Sequence, residues 1–228
     1  MKCCLLALLL LATADYGLYA QDTYVLKPGE SFKEVLTFDQ IYRYPKFTDG
    51  TVFFKDGKTA NGRFNYNVVT GEIQFLEGRS DTLSLANEAT IRHLVISKDT
   101  FLFNKAYIRV INSNSLAKLG ERTYYKDYVQ KPGAYGVSTS ATATNTVDLL
   151  VNRRTLQVDH DHEISLVKHT DFVFAGADTD FFIADKRSVP KAFPKYRKQI
   201  DTYLAGNPMD FKKLEDLQRL CSFIVTLN

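Results

Sequence analysis

The octapeptide GTVFFKDG at residues 50–57 is echoed by GEIQFLEG at residues 71–78, 21 positions further along the chain. Glycine stands at both ends of each copy, and an apolar residue and a phenylalanine occupy matching positions between them. A β-prone run that ends in a turn residue is the pattern of a strand followed by a tight turn. Two copies predict a duplicated β-hairpin, because a stacked solenoid needs about three or more units.

The chain around this repeat also alternates short β-prone runs with turn residues. The first copy predicts a strand over 51–55, a tight turn at Asp56-Gly57 and a returning strand over 63–68. Short β-prone runs separated by Gly, Asn and Asp indicate an antiparallel meander and not alternating strands and helices. Further strands are predicted over 82–85, 91–96, 100–103, 107–111, 147–151, 156–158, 164–167, 172–174 and 181–184.

One stretch lacks this periodicity. Between Lys131 and Thr146 the chain is rich in Gly, Ser, Thr and Ala, and it begins with Pro132-Gly133. This composition predicts a long exposed loop. The loop is either a plain surface connection or a lid or recognition element, since binding residues often lie on loops carried by a rigid scaffold.

The character of the chain changes at Ser188, where helix-forming residues begin to dominate. Pro194 suits a first helical turn, and Gly206 marks a stop. A second helix is predicted from about Met209 or Phe211 to Phe223. Apolar residues at helical spacing form one stripe on each helix: Phe193, Tyr196, Ile200 and Tyr203 on the first, and Phe211, Leu214, Leu217, Cys221 and Ile224 on the second.

These patterns together predict an α+β fold that is mainly β. We expect one β-rich domain over residues 21–228, in which an antiparallel meander forms a curved sheet or a partly closed barrel. The C-terminal helical pair, about 188–225, docks on the sheet because two short helices cannot bury their apolar stripes alone. A barrel of about eight strands can enclose a small apolar ligand, although the 13 Tyr and 16 Phe side chains can fill the same space.

Residues 1–20 read as a signal peptide. Lys2 precedes an apolar run over 3–12, and LYA at 18–20 places a small residue before Gln21. The run is shorter than the roughly 20 apolar residues that span a bilayer. We therefore expect an exported protein, periplasmic, at the cell surface or extracellular, without a transmembrane segment in the mature chain.

Composition and cysteine usage limit the class of protein. The chain is 45% hydrophobic and 24% charged, which is typical of a globular protein and not of a disordered one. Two of its three cysteines fall within the signal, so Cys221 has no partner for a disulfide. The domain is expected to be held together by its apolar core.

The charge is unevenly distributed. The stretch 186–213 carries a local charge of +6 in a chain whose net charge is +3. Such a face can meet an anionic envelope surface or an acidic partner, or it can simply be solvated. Nucleic acid is not an expected partner of an exported protein. The basic residues are Lys186, Arg187, Lys191, Lys195, Arg197, Lys198, Lys212 and Lys213.

Two stretches of the chain together form a recognisable pattern of strands, turns and helix caps. The first consists of YPKF at 44–47, DGT at 49–51, NYN at 65–67, GEIQF at 71–75 and DTL at 81–83. The second consists of Phe193-Pro194, Ile200, Tyr203, DFKK at 210–213 and EDL at 215–217. This pattern resembles a group of uncharacterised exported β-rich proteins of the Bacteroidota. The resemblance implies an envelope location in a Gram-negative cell. It implies no catalytic motif and no functional residue.

The cluster DHDHE at 159–163 is the candidate metal site. On an extended strand His160 and His162 point to the same face, and two imidazoles can bind zinc, copper or nickel. His93 or His169 would then supply a third ligand. The alternative is a solvated, functionally silent hairpin tip.

Other reactive chemistry has little support in the sequence. There is no Gly-x-Ser-x-Gly elbow, and Ser138 has no base placed near it by sequence logic. Cys221 lies on an apolar stripe, where a thiol is usually inert. No phosphate-binding glycine loop follows a strand, so the sequence indicates no cofactor.

These observations favour an exported, non-catalytic binding or structural protein of the bacterial envelope. Two alternatives remain open at this stage. One is a metal-binding protein that uses the Asp159–Glu163 cluster, and the other is a hydrolase built around the Ser/Thr-rich loop.

Overall fold

The computed structural model describes residues 23–78, 81–132, 138–142, 163–177 and 180–227, with the backbone alone at 129–132 and 138–142. The signal peptide predicted over 1–20 and the strands predicted at 147–151 and 156–158 lie outside the described residues.

Twelve strands are present in the described part of the chain, and all of their pairings are antiparallel. They are β1 Thr23–Leu26, β2 Thr48–Phe54, β3 Thr59–Asn67, β4 Glu72–Glu77, β5 Asp81–Ser84, β6 Ile91–Ile96, β7 Asp99–Asn104, β8 Ala106–Ser113, β9 Ala117–Pro132, β10 Ser138–Thr142, β11 Ile164–Gly176 and β12 Phe182–Ile183.

Helices occupy the two ends of the described chain. The first two are single turns that begin with reciprocal caps. The Ser31 amide donates to Glu34 and the Thr37 amide donates to Gln40, each at 2.8 Å. The α-helices are α1 Phe32–Val35, α2 Phe38–Ile41, α3 Val189–Ala192, α4 Arg197–Gly206 and α5 Leu214–Val225.

The strands form one open sheet in the order β1-β11-β9-β8-β7-β6-β2-β3-β4-β5, with β10 added on β9 and β12 on β11. Because β1 and β5 end this order without pairing with each other, the sheet does not close. It does curl, since the Tyr66 hydroxyl on β3 donates to the Thr123 carbonyl on β9 at 2.9 Å although these strands are not neighbours in the sheet. The predicted mainly β, α+β fold with a C-terminal helical pair is confirmed.

The repeat that opens the sequence forms β2 and β4, which lie on either side of β3. Its matching apolar residues, Val52 and Ile73, are both buried. The leading glycines differ in role, because Gly71 has a φ of 70° whereas Gly50 sits within a strand. A Cβ at Gly50 would lie 2.5 Å from the Val95 carbonyl oxygen, so this position requires glycine.

The longest pairing in the described chain joins β9 to β11 over 13 consecutive residue pairs, from Ile164 opposite Val129 to Gly176 opposite Ala117. We predicted two short strands at 164–167 and 172–174, but a single strand spans both. We predicted no strand over 117–132. Charged residues stand on both faces of β9, and they obscure the alternation that marks a half-buried strand.

The predicted loop over 131–146 is wrong for part of its length. Pro132 ends β9, and residues 138–142 form β10, which pairs back on β9 from Ser138 opposite Pro132 to Thr142 opposite Tyr128. The small polar composition suggested a loop, but β-branched Thr139 and Thr142 suit a strand, and β9 extends far enough to pair with it.

Two apolar cores hold the fold together. The N-terminal core lies inside the curl of the sheet and consists of Leu26, Phe32, Leu36, Ile41, Val52, Phe64, Tyr66, Val68, Val69, Ile73, Ile91, Leu94, Ile96, Phe101, Tyr107, Tyr125, Ile164 and Leu166. The C-terminal core joins the helices to the sheet and consists of Ala117, Leu119, Phe174, Ala184, Val189, Ala192, Phe193, Ile200, Leu204, Leu217, Leu220, Cys221 and Ile224. The docking predicted for the helical stripes is therefore confirmed.

Candidate functional site

The face of the β9–β11 pair that carries both cores is polar in its middle. Along β9, Leu119 belongs to the C-terminal core and Tyr125 to the N-terminal core. Glu121 and Thr123 lie between them on the same face, because side chains alternate along a strand. Opposite Thr123 stands Thr170, and the two hydroxyl oxygens are 3.2 Å apart. A polar zone therefore separates the two cores.

Four charged side chains cross this zone, and we call them the polar seam: Arg43, Asp99, Arg109 and Glu121. Glu121 accepts from both arginines, at 3.0 Å from Arg43 and 2.8 Å from Arg109. Asp99 lies 3.7 Å from Arg43 and 3.3 Å from Arg109. Both carboxylates are mostly buried, with 13% of each side chain exposed. The pairing balances two positive charges with two negative charges.

Arg43 belongs to a segment, residues 42–47, that crosses the inside of the curl and that we call the strap. Asn65 on β3 holds it, since the Asn65 side chain accepts from the Tyr44 amide at 3.0 Å and donates to the Tyr44 carbonyl at 2.8 Å. The Arg43 amide also donates to the Tyr66 carbonyl at 3.0 Å. Asn65 is fully buried, and its side chain supplies both hydrogen bonds to the Tyr44 backbone, where the antiparallel pairing of Tyr42 with Asn67 does not continue.

The Tyr44 hydroxyl joins the strap to the seam by donating to Asp99 at 2.7 Å. Burial of the Tyr44 side chain, reinforced by this contact with a carboxylate, raises the pKa of Tyr44 well above its ordinary value. The hydrogen bond to Glu121 raises the pKa of Arg109 as well. Tyr44 therefore stays protonated and Arg109 stays charged, and both serve as donors in the seam at physiological pH.

A recess of about 330 Å³ opens beside the seam. Val68 and Thr123 are its buried lining, whereas Asp39 and Lys168 are exposed at its rim. The charged lining residues comprise two acids and two bases, so the recess has no net charge. Its full lining is Asp39, Tyr42, Arg43, Tyr44, Val68, Asp99, Thr123 and Lys168.

An aromatic cluster lies at one side of this recess. The ring of Tyr42 is 4.6 Å from that of Phe38 and 5.4 Å from that of Phe47. The Tyr42 hydroxyl donates to Gln74 at 2.8 Å, and burial raises the pKa of Tyr42. Phe38 is 42% exposed, so an apolar surface adjoins the polar recess.

The candidate metal ligands His160 and His162 lie outside the described residues. Of the two histidines suggested as third ligands, His93 stacks on Phe53 with ring centroids 4.4 Å apart, and His169 stacks on Tyr124 at 5.9 Å. No group of three or more His, Cys, Asp and Glu side chains suited to a metal ion occurs in the ranges that the structure describes.

Cys221 is buried in the C-terminal core, and this burial raises the pKa of its thiol to about 11. The thiol is therefore protonated at neutral pH, as expected of a cysteine that serves core packing. Ser138, the serine of the alternative hydrolase site, is the first residue of β10.

The basic residues of the C-terminal region are exposed, as the charge pattern indicated. Within the described ranges, Arg197 is the one of these residues that forms an ion pair, at 3.9 Å from Asp201. Among the helices of the described ranges, none is long and apolar enough to cross a membrane.

The polar seam and the strap were not predicted from the sequence. Arg43 and Glu121 are 78 positions apart, and no local periodicity links them. One usable signal was present, since S-x-x-E at 31–34 and T-x-x-Q at 37–40 are capping boxes. They locate α1 and α2, and α2 leads directly into the strap.

Comparison of the chain with protein-family models, with curated proteins and with solved structures finds no match.

Proposed function

We propose that this protein is an exported, non-catalytic binding protein of the bacterial envelope, and that the recess beside the polar seam is its ligand site. The observation that carries the proposal is a polar, charge-balanced recess on an inner face that is otherwise filled by apolar cores. Ligand sites are concave and place a few polar groups in fixed orientation. Here the strap and the seam supply that orientation.

The chemistry of the lining specifies a class of ligand. Two acids and two bases line the recess, so a ligand with no net charge meets matched partners. The hydroxyl of Thr123 and the charged groups of Arg43 and Lys168 suit hydroxyl or carboxylate oxygens. At about 330 Å³ the volume lies at the small end of ligand pockets. A neutral sugar or a zwitterionic amino acid fits these requirements.

The proposal is tested by thermal unfolding of the mature chain in the presence of neutral monosaccharides and zwitterionic amino acids. A ligand that binds only the folded state raises the melting temperature in a concentration-dependent manner. Isothermal titration then gives the affinity of any compound that does so. If no compound of either class shifts the melting temperature at millimolar concentration, the recess does not have this role.

Two variants locate the binding. Lys168→Met removes a rim charge without touching the seam, and we expect about tenfold weaker binding or more, as for the loss of a hydrogen bond to a charged group. Lys126→Met is the matched control, since its ammonium lies 5.3 Å from the Tyr128 ring on the opposite face of the sheet. Equal losses in both variants would contradict the proposed site.

The proposed export is supported by the sequence alone. N-terminal sequencing of protein recovered from the periplasm or medium of an expressing Gram-negative host should find Gln21 at or near the start. A full-length chain that stays in the cytosol would contradict this part of the proposal.

The exposed basic residues of the C-terminal helical region support a second contact, with an anionic envelope surface or an acidic partner. They are spread over α3, α4 and the segments next to them, with few acids between them. Association driven by such charges weakens as salt screens them.

A further inference from the structure

A groove of about 570 Å³ runs between α4 and α5. Its floor is aromatic, because the rings of Tyr203 and Phe223 stack with centroids 4.0 Å apart and planes 12° from parallel. Leu227 extends this apolar lining. The rim is polar and exposed, and it consists of Lys198, Gln199, Thr202 and Asn207.

The groove is basic at its rim. Lys198 is its one charged lining residue within the described chain, and Lys198 forms no ion pair with the other described residues. Lys195 lies three positions earlier, in the short 3-10 turn Pro194–Tyr196 that leads into α4, and it is exposed. The Lys195 ammonium lies 4.9 Å from the Tyr196 ring. The neighbouring Arg197, unlike Lys198, forms an ion pair, since it lies 3.9 Å from Asp201.

An occupant of this groove must therefore combine an apolar part with a negative charge. Stacked aromatic rings give a flat apolar floor, and a volume of this size is typical of a ligand cleft. Lysine side chains lay their apolar stems along such a surface and keep the ammonium at the water-facing edge. A lipid with an acyl chain and an anionic headgroup has this arrangement of groups.

We infer that the α4–α5 groove docks on an anionic lipid bilayer, with an acyl chain over Tyr203 and Phe223 and the headgroup phosphates at Lys195 and Lys198. This inference rests on the anionic contact proposed above and names its partner. Basic residues near an anionic bilayer attract it over about a Debye length. The apolar floor adds a contribution that salt does not screen.

Co-sedimentation with vesicles tests the electrostatic part. We expect the mature chain to bind vesicles of phosphatidylcholine that contain about 30 mol% phosphatidylglycerol, and not vesicles of phosphatidylcholine alone, because only the first carry a negative surface potential. Lys195→Gln/Lys198→Gln should lower the partition coefficient about tenfold or more. The control Lys27→Gln/Lys33→Gln removes the same charge near α1 and should change it little.

The groove itself is tested with a reporter, since the chain contains no tryptophan. Leu227→Trp places one indole in the groove, and Leu83→Trp places one at an exposed position on β5. Anionic vesicles should shift the emission of the Leu227→Trp variant to shorter wavelength and leave that of Leu83→Trp unchanged.

Three outcomes overturn the inference. Sedimentation without an emission shift at Leu227→Trp would indicate a contact by charge alone. An equal decrease of the partition coefficient in Lys195→Gln/Lys198→Gln and in Lys27→Gln/Lys33→Gln would show that the groove does not contact the bilayer. Binding of polyglutamate that shifts the emission where vesicles do not would identify an acidic protein segment as the occupant. Because ligand binding at the recess is measured without vesicles, failure of one site is distinguishable from failure of the other.

Discussion

Buried hydrogen-bonding side chains accompany the N-terminal core, whereas in the described part of the chain the C-terminal core meets such side chains only at the polar zone between the two cores. The five buried polar side chains are Asn65, Asn67, Thr123, Asp127 and Ser165, all on β3, β9 or β11 and before residue 172. The difference follows from what each core encloses. The N-terminal core buries an irregular strap whose backbone needs partners, but the C-terminal core buries helices that satisfy their own backbone.

Truncation of a core leucine tests whether the two cores form one cooperative unit. Leu94 and Leu220 are fully buried, one in each core. Leu94→Ala and Leu220→Ala should each lower the free energy of unfolding by about 2–5 kcal/mol, because each leaves a cavity. We expect a single transition in urea for both variants, since β9 and β11 contribute to both cores. Tyrosine fluorescence and far-ultraviolet circular dichroism that separate into two transitions would show independent cores.

Substitution of Asn65, which holds the strap, tests whether the buried polar side chains stabilise the N-terminal core. Asn65→Ala leaves the partly buried amide and carbonyl of Tyr44 without their side-chain partner, so we expect a loss of about 1–3 kcal/mol in urea unfolding. Asn61→Ala on the same strand is the control. Asn61 is exposed and accepts from the Thr51 hydroxyl, so its loss should stay within about 0.5 kcal/mol. A small effect at Asn65 would mean that the strap does not depend on it.

Alkaline pH should weaken the C-terminal core through Cys221. Burial raises the pKa of this thiol from 9.0 to about 11. The folded protein then keeps a proton that the unfolded chain releases, so this contribution to stability is complete below pH 9 and is lost as the pH rises toward 11. The loss should reach about 2 kcal/mol.

Urea unfolding at pH 7.5, 9.5 and 10.5 measures this loss. Cys221→Ala should show a shallower decline than the unsubstituted chain. Burial also raises the pKa of Tyr44 and Tyr107, so part of the decline above pH 10 should persist in the variant. Parallel curves for the two proteins would exclude Cys221 as a contributor.

Two tyrosines within the N-terminal core give the smallest and most discriminating effect. The Tyr66 hydroxyl donates to the Thr123 carbonyl at 2.9 Å, whereas the buried Tyr107 hydroxyl has no hydrogen-bond partner in the described part of the chain. Tyr66→Phe should cost about 0.5–1.5 kcal/mol, and Tyr107→Phe should be neutral or stabilising by up to about 1 kcal/mol. The difference is measured by urea unfolding at pH 7. Equal losses would contradict the hydrogen-bond assignment.

The same comparison explains what the sequence predicts well. Leu217, Cys221 and Ile224 recur at helical spacing, and helical periodicity is a local signal. The hairpin of β2 and β3 is local too, because Asp56 and Gly57 fix its turn, with Gly57 at a φ of 89°. Most of the strand and helix pattern could therefore be predicted.

The polar seam depends on contacts that are distant along the chain. Arg43 meets Glu121 because the sheet curls, and the curl results from pairings such as β2 with β6 and β9 with β11. No short window of residues contains that information. Asn65 illustrates the limit, since asparagine is depleted in strands but here its side chain binds the backbone of Tyr44, a residue 21 positions earlier.

The uninterrupted alignment of β9 with β11 makes shifts in their pairing costly. A slip by one position would turn Arg122 and Lys126 toward the apolar interior and push Leu119 and Tyr125 outward. Misfolded forms with shifted strands are thereby disfavoured at several positions at once. The charged residues of β9 that obscured its alternation in the sequence therefore also stabilise its register against β11.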